Sequence, residues 1–494
     1  MKKITEMTEL CKRQQRPLKV LQYGEGNFLR AFVDYGIDVA NEEGRFNGNV
    51  AVVIPTAMHD GSRRLLQFFR EQDNYYTVCL RGKKNGSPYR ENRVISCVER
   101  VVSSHDDFDA YMQIAEVPEL EFVVSNTTEA GIVFDASDKA DDKPAAHFPG
   151  KVTQFLYRRY RHFNGAADKG LTMLPVELID HNGEALAECV HKYIALWQLP
   201  DGFKQWVDKN CLFASTLVDR IVPGYPKDEA EQITAELGYS DNLLDKAEPF
   251  GVWIIGDERV KSRFNIGSDK LQVEFTDKIE VYKERKVRIL NGAHTSMVLG
   301  AYLAGFDYVG DCMADADVRR QLEQSVFGEI VPTVHVPREQ AETFAKAVFE
   351  RFENPFVKHA LLSISLNSVS KWRARVLPSL KDSLANTGKL PKWLTYSLAA
   401  LLAFYRTEKK GNGCLIGTRG NNTYDIKDDA EKLDFFAANA GKATPDYVRA
   451  VLTQDAWWGE DLTQIPGMYD AVCRHLQNIE QSGAKAYIKQ LGEE

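Results

Sequence analysis

The sequence predicts a parallel, doubly wound α/β domain followed by a mainly α-helical one. Three observations lead there. Across the first half, short apolar runs alternate with stretches of helical periodicity. Two glycines follow the first apolar run directly. From about Val281 onward, strand-like runs become scarce and helix-like patches take over.

The elements follow in order. Residues 19–23 read as a strand, and 28–41 carry helical periodicity. Residues 50–54 form a second strand and 63–70 the next helix. A further strand covers 121–125 and ends in polar Asn126-Thr127-Thr128, and another covers 171–175. In the second half, 299–303, 339–352, 395–405 and 468–491 contain the helix-like patches. The boundary falls between Gly256 and Glu280. Drawn after 275, it gives a nucleotide-binding domain over 1–275 and a helical substrate and catalytic domain over 276–494. A cleft between two such domains is a common place for a small-molecule site.

Composition narrows the class. The chain has 494 residues, 44% hydrophobic and 27% charged, the balance of a globular protein that builds large cores without disulfides or metals. No apolar run reaches the roughly eighteen residues of a membrane span. The opening Met1-Lys2-Lys3-Ile4-Thr5-Glu6 has no apolar core behind its lysines, which argues against a secretory signal. The eight cysteines lie far apart and form no CxxC pair, so they read as reduced thiols in a cytoplasm, and a zinc ribbon is not expected. Net charge is −8, and the short run Arg158-Arg159-Tyr160-Arg161 reads as a solvated helix face, so nucleic acid is not an expected partner.

Behind the first strand stands Gly24-Glu25-Gly26-Asn27-Phe28-Leu29-Arg30-Ala31. Glycines here allow a tight turn and close approach to a pyrophosphate, and the following helix offers unpaired N–H groups. A third glycine is missing, with Leu29 in its place, so the run by itself fits either a dinucleotide turn or an ordinary strand-to-helix turn. Asp60, after the second strand, suits either an adenosine ribose diol, favouring NAD over NADP, or a helix N-cap. Arg63 and Arg64 are close enough to bind a 2′-phosphate instead.

The segment Lys286-Val287-Arg288-Ile289-Leu290-Asn291-Gly292-Ala293-His294 carries the strongest chemistry. On an α-helix, Lys286, Asn291 and His294 fall within an arc of about 140°, and Lys286 lies about 12 Å from His294 along the axis. A ketone receiving hydride develops negative charge on oxygen. A lysine ammonium stabilises that charge and donates the proton, an asparagine amide completes an oxyanion pocket, and a histidine holds a substrate hydroxyl. Spacing alone fits equally an amphipathic helix with Ile289 and Leu290 inward. No GxSxG elbow supports hydrolase chemistry.

The Lys286-x4-Asn291-x2-His294 pattern resembles the signature of the mannitol dehydrogenase family, the polyol-specific long-chain dehydrogenases that include fructuronate and tagaturonate reductases. Gly24-x-Gly26-x-Phe28-x-Arg30-Ala31 is similar to the family's cofactor turn, and Asp60 sits where the family places an acidic residue. Ser125-Asn126-Thr127-Thr128-Glu129-Ala130-Gly131, Thr216-Leu217-Val218-Asp219-Arg220-Ile221-Val222-Pro223 and Arg351-Phe352-x-Asn354-Pro355 resemble further family segments, as do Ser370-Lys371 and Pro378. The resemblance covers nearly the whole chain. It implies a Rossmann-type N-terminal domain, a helical C-terminal domain, NAD as cofactor and no catalytic metal. It implies cofactor contacts from Gly24, Gly26, Asn27, Phe28, Asp60, Asn126 and Thr127. It gives Lys286 as acid/base, Asn291 as oxyanion donor, His294 as substrate-positioning and Asp219 near nicotinamide and substrate.

Departures narrow the substrate. The family's second oxyanion asparagine falls at Leu178 in Val176-Glu177-Leu178-Ile179-Asp180-His181-Asn182-Gly183, and Asn182 is a candidate replacement. A water-channel glutamate of some relatives is Lys283 here. The Glu177 to Gly183 run and Leu217 to Pro226 resemble the tagaturonate reductases (altronate oxidoreductases) of the family. A ketouronate or aldonate substrate carries a carboxylate, for which Lys371 and Arg375 are candidates, with His359 behind them; the alternative is that both make structural ion pairs. Rival readings are fructuronate reductase, mannitol or polyol 2-dehydrogenase, and a non-catalytic NAD-binding sensor. A monomer or weak homo-oligomer is expected, with no membrane partner.

Overall fold

A computed structural model of the chain describes residues 2–84, 86–127, 131–356 and 358–493. It divides into two compact units, Met1–Ile279 and Glu280–Glu494.

The first unit is organised by six parallel strands: β1 (Leu18–Tyr23), β2 (Asn49–Ile54), β3 (Val98–Ser103), β4 (Phe122–Ser125), β5 (Thr172–Pro175) and β6 (Leu212–Phe213). Their order is β3-β2-β1-β4-β5-β6, the order of dinucleotide-binding sheets. Every pairing in it is parallel. Parallel sheets are covered on both faces, so their strands read as continuous apolar runs, as in Val50-Ala51-Val52-Val53-Ile54. Alternate side chains still separate into two cores. Val20, Val50, Val52 and Val124 join one cluster, while Leu21, Tyr23, Ala51, Val53 and Val123 join the other.

Helices cover the sheet. The first, α1, runs over 27–42 and is interrupted by wide, π-helical turns at Arg30–Asp34. Next come α2 (Asp60–Glu71), α3 (Phe148–His162) and α4 (Asn182–Leu196). The sequence reading did not find the antiparallel hairpin Tyr76–Lys84 and Ser87–Ile95, or the sheet of Thr216–Asp219, Val252–Ile255 and Gln272–Phe275. Ser87–Ile95 is dense in charge at Arg90, Glu91 and Arg93, which hides its strand periodicity.

The run Arg158-Arg159-Tyr160-Arg161 is not the solvated face expected of it. Arg159 is fully buried in α3. Its guanidinium donates to the carbonyls of Lys169 (2.7 Å), Ala115 (2.9 Å), Val117 (2.7 Å) and Leu120 (2.9 Å). Tyr160 packs on Phe203 and Trp206. The flanking Arg158 and Arg161 are exposed and Tyr160 is partly so, which leaves Arg159 as the buried member of the run.

The second unit is mainly helical. Its first helix, α5, is continuous through Ile279–Arg285, Lys286–Asn291 and Gly292–Leu303. Later elements include α6 (Arg338–Phe352), α7 (Ser368–Arg375) and α8 (Lys392–Tyr405), the last almost wholly buried. One antiparallel hairpin, Leu415–Arg419 with Asn422–Ile426, departs from the helical pattern. Among the described residues, no helix is long and apolar enough to cross a membrane. No group of three or more His, Cys, Asp or Glu side chains among them is arranged to hold a metal.

Replacing Arg159 by leucine removes its donors to four carbonyls, of which those of Ala115 and Leu120 are buried. Stability to urea should fall by roughly 3–5 kcal/mol, the scale for removing one side of a buried charged network. A loss under 1 kcal/mol would show that water replaces the guanidinium.

Candidate active site

In the first unit, parallel pairing brings the carboxyl ends of β1, β2, β4 and β5 to one edge of the sheet, the edge where such folds bind ligands. Gly24 ends β1. Its φ of +120° suits glycine, and a Cβ there would lie 2.9 Å from Leu29 Cδ1 and 3.3 Å from the Asn126 carbonyl oxygen. Gln22 Nε2 donates to the Gly24 carbonyl at 3.2 Å and to the buried Asp34 carboxylate at 3.3 Å, which fixes the turn from beneath. Gly26 is the N-cap of α1, and no side chain caps that helix. A Cβ on Gly26 would meet nothing within 4 Å. Free N–H groups at a helix start, facing open space, fit a dinucleotide pyrophosphate.

Two residues of this turn are engaged differently from a simple ligand contact. The Asn27 carboxamide oxygen accepts from Arg30, and a Cβ at Gly224 would stand 2.1 Å from Asn27 Nδ2. Asn27 therefore offers a ligand its backbone N–H. Phe28 stacks on Phe32 with ring centroids 4.9 Å apart and packs against the core.

Asp60 is exposed at the first position of α2. The N-cap expected of it is held instead by His59, whose Nδ1 accepts from the N–H groups of Gly61 (3.1 Å) and Ser62 (3.4 Å). Asp60 is thus not committed to the cap. Asp219 ends the strand Thr216–Asp219, paired with Val252.

Asn126 follows β4 and donates its N–H to the Tyr23 carbonyl at 3.2 Å, beside Gly24. Thr127 comes next and is half-buried. Both its N–H (3.0 Å) and its hydroxyl (2.9 Å) donate to Glu177 Oε1. Residues Thr128, Glu129 and Ala130 of the same segment lie outside the described residues. Glu177 was not singled out from sequence; its one signal is a carboxylate directly behind the apolar strand β5. Burial pushes its carboxyl up, while hydrogen bonds from Thr127 and Ser125 pull it back.

Asn182 does not serve as an oxyanion donor. It is buried at the start of α4, and its Nδ2 donates to the carbonyls of Pro175 (3.0 Å), Glu177 (3.0 Å) and Thr216 (3.1 Å). Its Oδ1 accepts from Thr216 N–H at 2.8 Å. The carboxamide is spent on backbone groups of two strands and cannot also face a substrate.

In the second unit, Lys286 and Asn291 open and close the π-helical stretch of α5, with Ile289 and Leu290 buried beneath. This corrects the α-helical geometry expected from spacing. Bonds from i to i+5 widen each turn beyond four residues, so residues five apart return to nearly the same side of the axis. Lys286 and Asn291 are therefore closer in azimuth than an α-helix would set them. The next residue, Gly292, would place a Cβ 3.1 Å from the Arg375 carbonyl oxygen, so a glycine there lets α5 lie close on α7.

His294 stacks on Phe352 at 4.2 Å between centroids and meets His359 edge-on at 5.2 Å. Its Nε2 is buried with no hydrogen-bond partner among the described residues. Burial holds this imidazole well below its ordinary 6.5, and like charge from His359, Arg351, Arg375 and Lys371 lowers it further. A neutral ring with an unmatched nitrogen is suited to a hydroxyl, which donates and accepts.

Lys371 and Arg375 stand four residues apart on α7, on one face. Neither makes a salt bridge among the described residues, so the structural ion pairs considered for them are not formed. Lys371 Nζ donates to the Ile364 carbonyl at 2.8 Å, and Arg375 Nη1 lies 3.5 Å from Thr295 Oγ1. Burial lowers both, and Arg375 further lowers Lys371, against which Asp428 acts. Asp428 itself accepts from Tyr405 (2.7 Å) and Lys432 (3.3 Å). The result is a cluster of cations around a neutral histidine, a setting that favours an anion carrying hydroxyls.

Comparison with known proteins gives matching results. Residues 18–268 match the model of the mannitol dehydrogenase Rossmann domain, and residues 278–480 match the mannitol dehydrogenase C-terminal domain. The chain is 44% identical over 485 residues to an altronate oxidoreductase of Klebsiella pneumoniae strain 342, covering 97% of both chains. It is 43% identical over 483 residues to an altronate oxidoreductase of Yersinia enterocolitica, covering 96% of this chain and 97% of that one. Among solved structures, substrate-free D-sorbitol dehydrogenase superposes with a TM-score of 0.82 at 20% identity, covering 99% of this chain and 100% of that one. Pseudomonas fluorescens mannitol 2-dehydrogenase, in ternary complex with NAD and D-mannitol, gives 0.64 at 20% identity over 97% and 95% of the two chains. At that identity the two structures establish a shared fold.

The depressed His294 has a thermodynamic consequence of defined sign. The unfolded chain takes up a proton near pH 6.5 that the folded ring refuses, so this residue's contribution is intact above that pH and is lost as pH falls. Urea unfolding at pH 7, 6 and 5 should show a smaller acid-induced loss in His294→Asn than in the parent. An equal loss in both proteins would mean that His294 protonates normally in the fold.

Proposed function

The chain belongs to the mannitol dehydrogenase family, and on that premise we propose that it is an NAD-dependent reductase of a ketouronate, converting tagaturonate to altronate with NADH and reversible in principle. The observation that carries the substrate class is the pair Lys371 and Arg375, half-buried, one turn apart and in no salt bridge among the described residues, with Asp428 acting on Lys371 from outside salt-bridge distance. Holding like charges together at i and i+4 costs stability, and a bound carboxylate offsets that cost where a neutral polyol does not. The relatives named altronate oxidoreductases point to the same class.

In this reading the first unit binds NAD. Gly24 and Gly26 admit the pyrophosphate to the N–H groups of α1, Asp60 accepts from the adenosine ribose, and Asn126 and Thr127 border the cofactor at the sheet edge, with Asp219 at the end of its strand. When bound, reduced nicotinamide supplies the hydride. The second unit supplies the remaining groups. Lys286 donates the proton to the oxygen that gains charge, and Asn291, brought to the same side by the wide turn, donates a hydrogen bond to it. Lysine is cationic at neutral pH, so the reducing direction needs no shift of its proton affinity. His294 meets a substrate hydroxyl through its unmatched Nε2, while Lys371 and Arg375 take the carboxylate. The fructuronate epimer presents the same carboxylate, so only rates separate the two ketouronates.

Initial rates with tagaturonate, fructuronate and fructose, each with NADH, should rank a ketouronate first; fructose winning outright would overturn the assignment. Lys286→Ala should lower kcat by about 10² to 10⁴, the scale of general acid catalysis. Unchanged turnover would remove Lys286 from the mechanism, whereas a parent that reduces none of the three substrates would be an NAD-binding sensor. Arg375→Leu should raise KM for the ketouronate by about 10- to 100-fold, the loss of one charge-assisted contact, while leaving fructose reduction nearly unchanged. Equal effects on both substrates would show that Arg375 does not read the carboxylate.

A further inference from the structure

Glu177 and Asn182 add side-chain ties between strand ends already joined by the β4–β5 ladder and by Thr216. The Asn182 carboxamide clamps Pro175, Glu177 and Thr216, and Thr216 Oγ1 donates to the Pro175 carbonyl at 2.6 Å. That clamp sets the backbone of Glu177 and aims its buried carboxylate across to the end of β4. There the carboxylate takes three donors: Ser125 Oγ at 3.1 Å on Oε2, with Thr127 N–H at 3.0 Å and Thr127 Oγ1 at 2.9 Å on Oε1.

An ionised carboxylate only accepts. The single proton of the Thr127 hydroxyl must therefore point at Glu177, and its lone pairs are what remains for a ligand. Ser125 is buried, whereas Thr127 is half-buried and can be reached. Gly131 leaves the necessary room, because a Cβ there would stand 2.1 Å from Thr127 Oγ1. A carbonyl or phosphate oxygen arriving at this hydroxyl would meet lone pair against lone pair.

We propose that Glu177 is a positioning and specificity-determining residue that locks the Thr127 hydroxyl as an acceptor, so that the cofactor is read there through a hydrogen-bond donor. This rests on the reading of the sheet edge as the NADH site. The donor is either the carboxamide N–H or a ribose hydroxyl of the nicotinamide half. Leucine at 177 has a similar size but no acceptor, so it releases the Thr127 proton toward the ligand; glutamine would not serve, because the Thr127 N–H keeps an amide oxygen facing it.

The test compares kcat/KM for NADH with two reduced analogues, one with acetyl in place of carboxamide and one lacking a nicotinamide-ribose hydroxyl. The full-length parent should prefer NADH to one analogue by about tenfold, which also identifies the donor. Glu177→Leu, in folded protein, should reduce that ratio to near one, mainly through KM. Thr127→Val, which removes the acceptor and leaves Glu177 with its donors from Ser125 and the Thr127 N–H, should do the same and decides the matter if Glu177→Leu does not fold. The proposal is overturned if the parent discriminates against neither analogue, or if a folded variant keeps the full ratio. Failure of the parent to bind NADH in a fluorescence titration would instead sink the functional reading beneath it.

Discussion

The pairing of β1 with a parallel neighbour on each side is the constraint from which the first unit follows. Because β1 sits between β2 and β4, the turn at Gly24 lies beside the backbone of Asn126, and Asp60 follows the neighbouring strand. Gly24 and Asn126 are thus brought together at one edge by backbone hydrogen bonds before any side chain is chosen. The side chains then work mostly from below. Gln22 steadies the Gly24 carbonyl, Arg30 holds Asn27, and Glu177 grips Thr127. What a ligand would meet is largely main chain, which is how a rigid sheet edge recognises a diphosphate.

The second unit works by the opposite economy. Its candidate site concentrates positive charge, with Asp428 acting on Lys371. Burial keeps His294 neutral, and the like charge of His359, Arg351, Arg375 and Lys371 adds to it. Packing rather than hydrogen bonding fixes its ring, between Phe352 and His359. Such an arrangement lowers stability in the empty protein, and strain of this kind is characteristically tolerated where a ligand relieves it.

Much of this was legible in the sequence, for identifiable reasons. Apolar runs mark strands buried on both faces, so β1, β2, β4 and β5 stood out, while β6 was too short and the charged Ser87–Ile95 too polar to do so. The glycine turn was legible because Gly24 is demanded by both its φ and its neighbours. Arg159 was misread although Val152, Phe155, Leu156 and Arg159 follow the 3, 4 and 7 spacing of a buried stripe; the periodicity was present and the charge masked it. Asn182 failed as an oxyanion donor because nothing in a residue's identity states which acceptors its amide already serves. The wide turn at Lys286 was invisible for a deeper reason. It is a shift in backbone bonding with no residue type of its own, and it changed which residues share a face.

That turn makes chain length, rather than residue identity, the guarded quantity around Lys286. Shifting the bond ladder from i+4 to i+5 accommodates one surplus residue without ending the helix. Removing any one residue between 286 and 291 would let α5 close into regular α-helix and still pack Ile289-type side chains inward, yet it would rotate the amine around the axis relative to His294. Substitution is absorbed locally at such a place, whereas an indel is transmitted down the rod. Families descending from a common ancestor through this segment should accordingly tolerate drift in the letters between Lys286 and Asn291 while keeping their count.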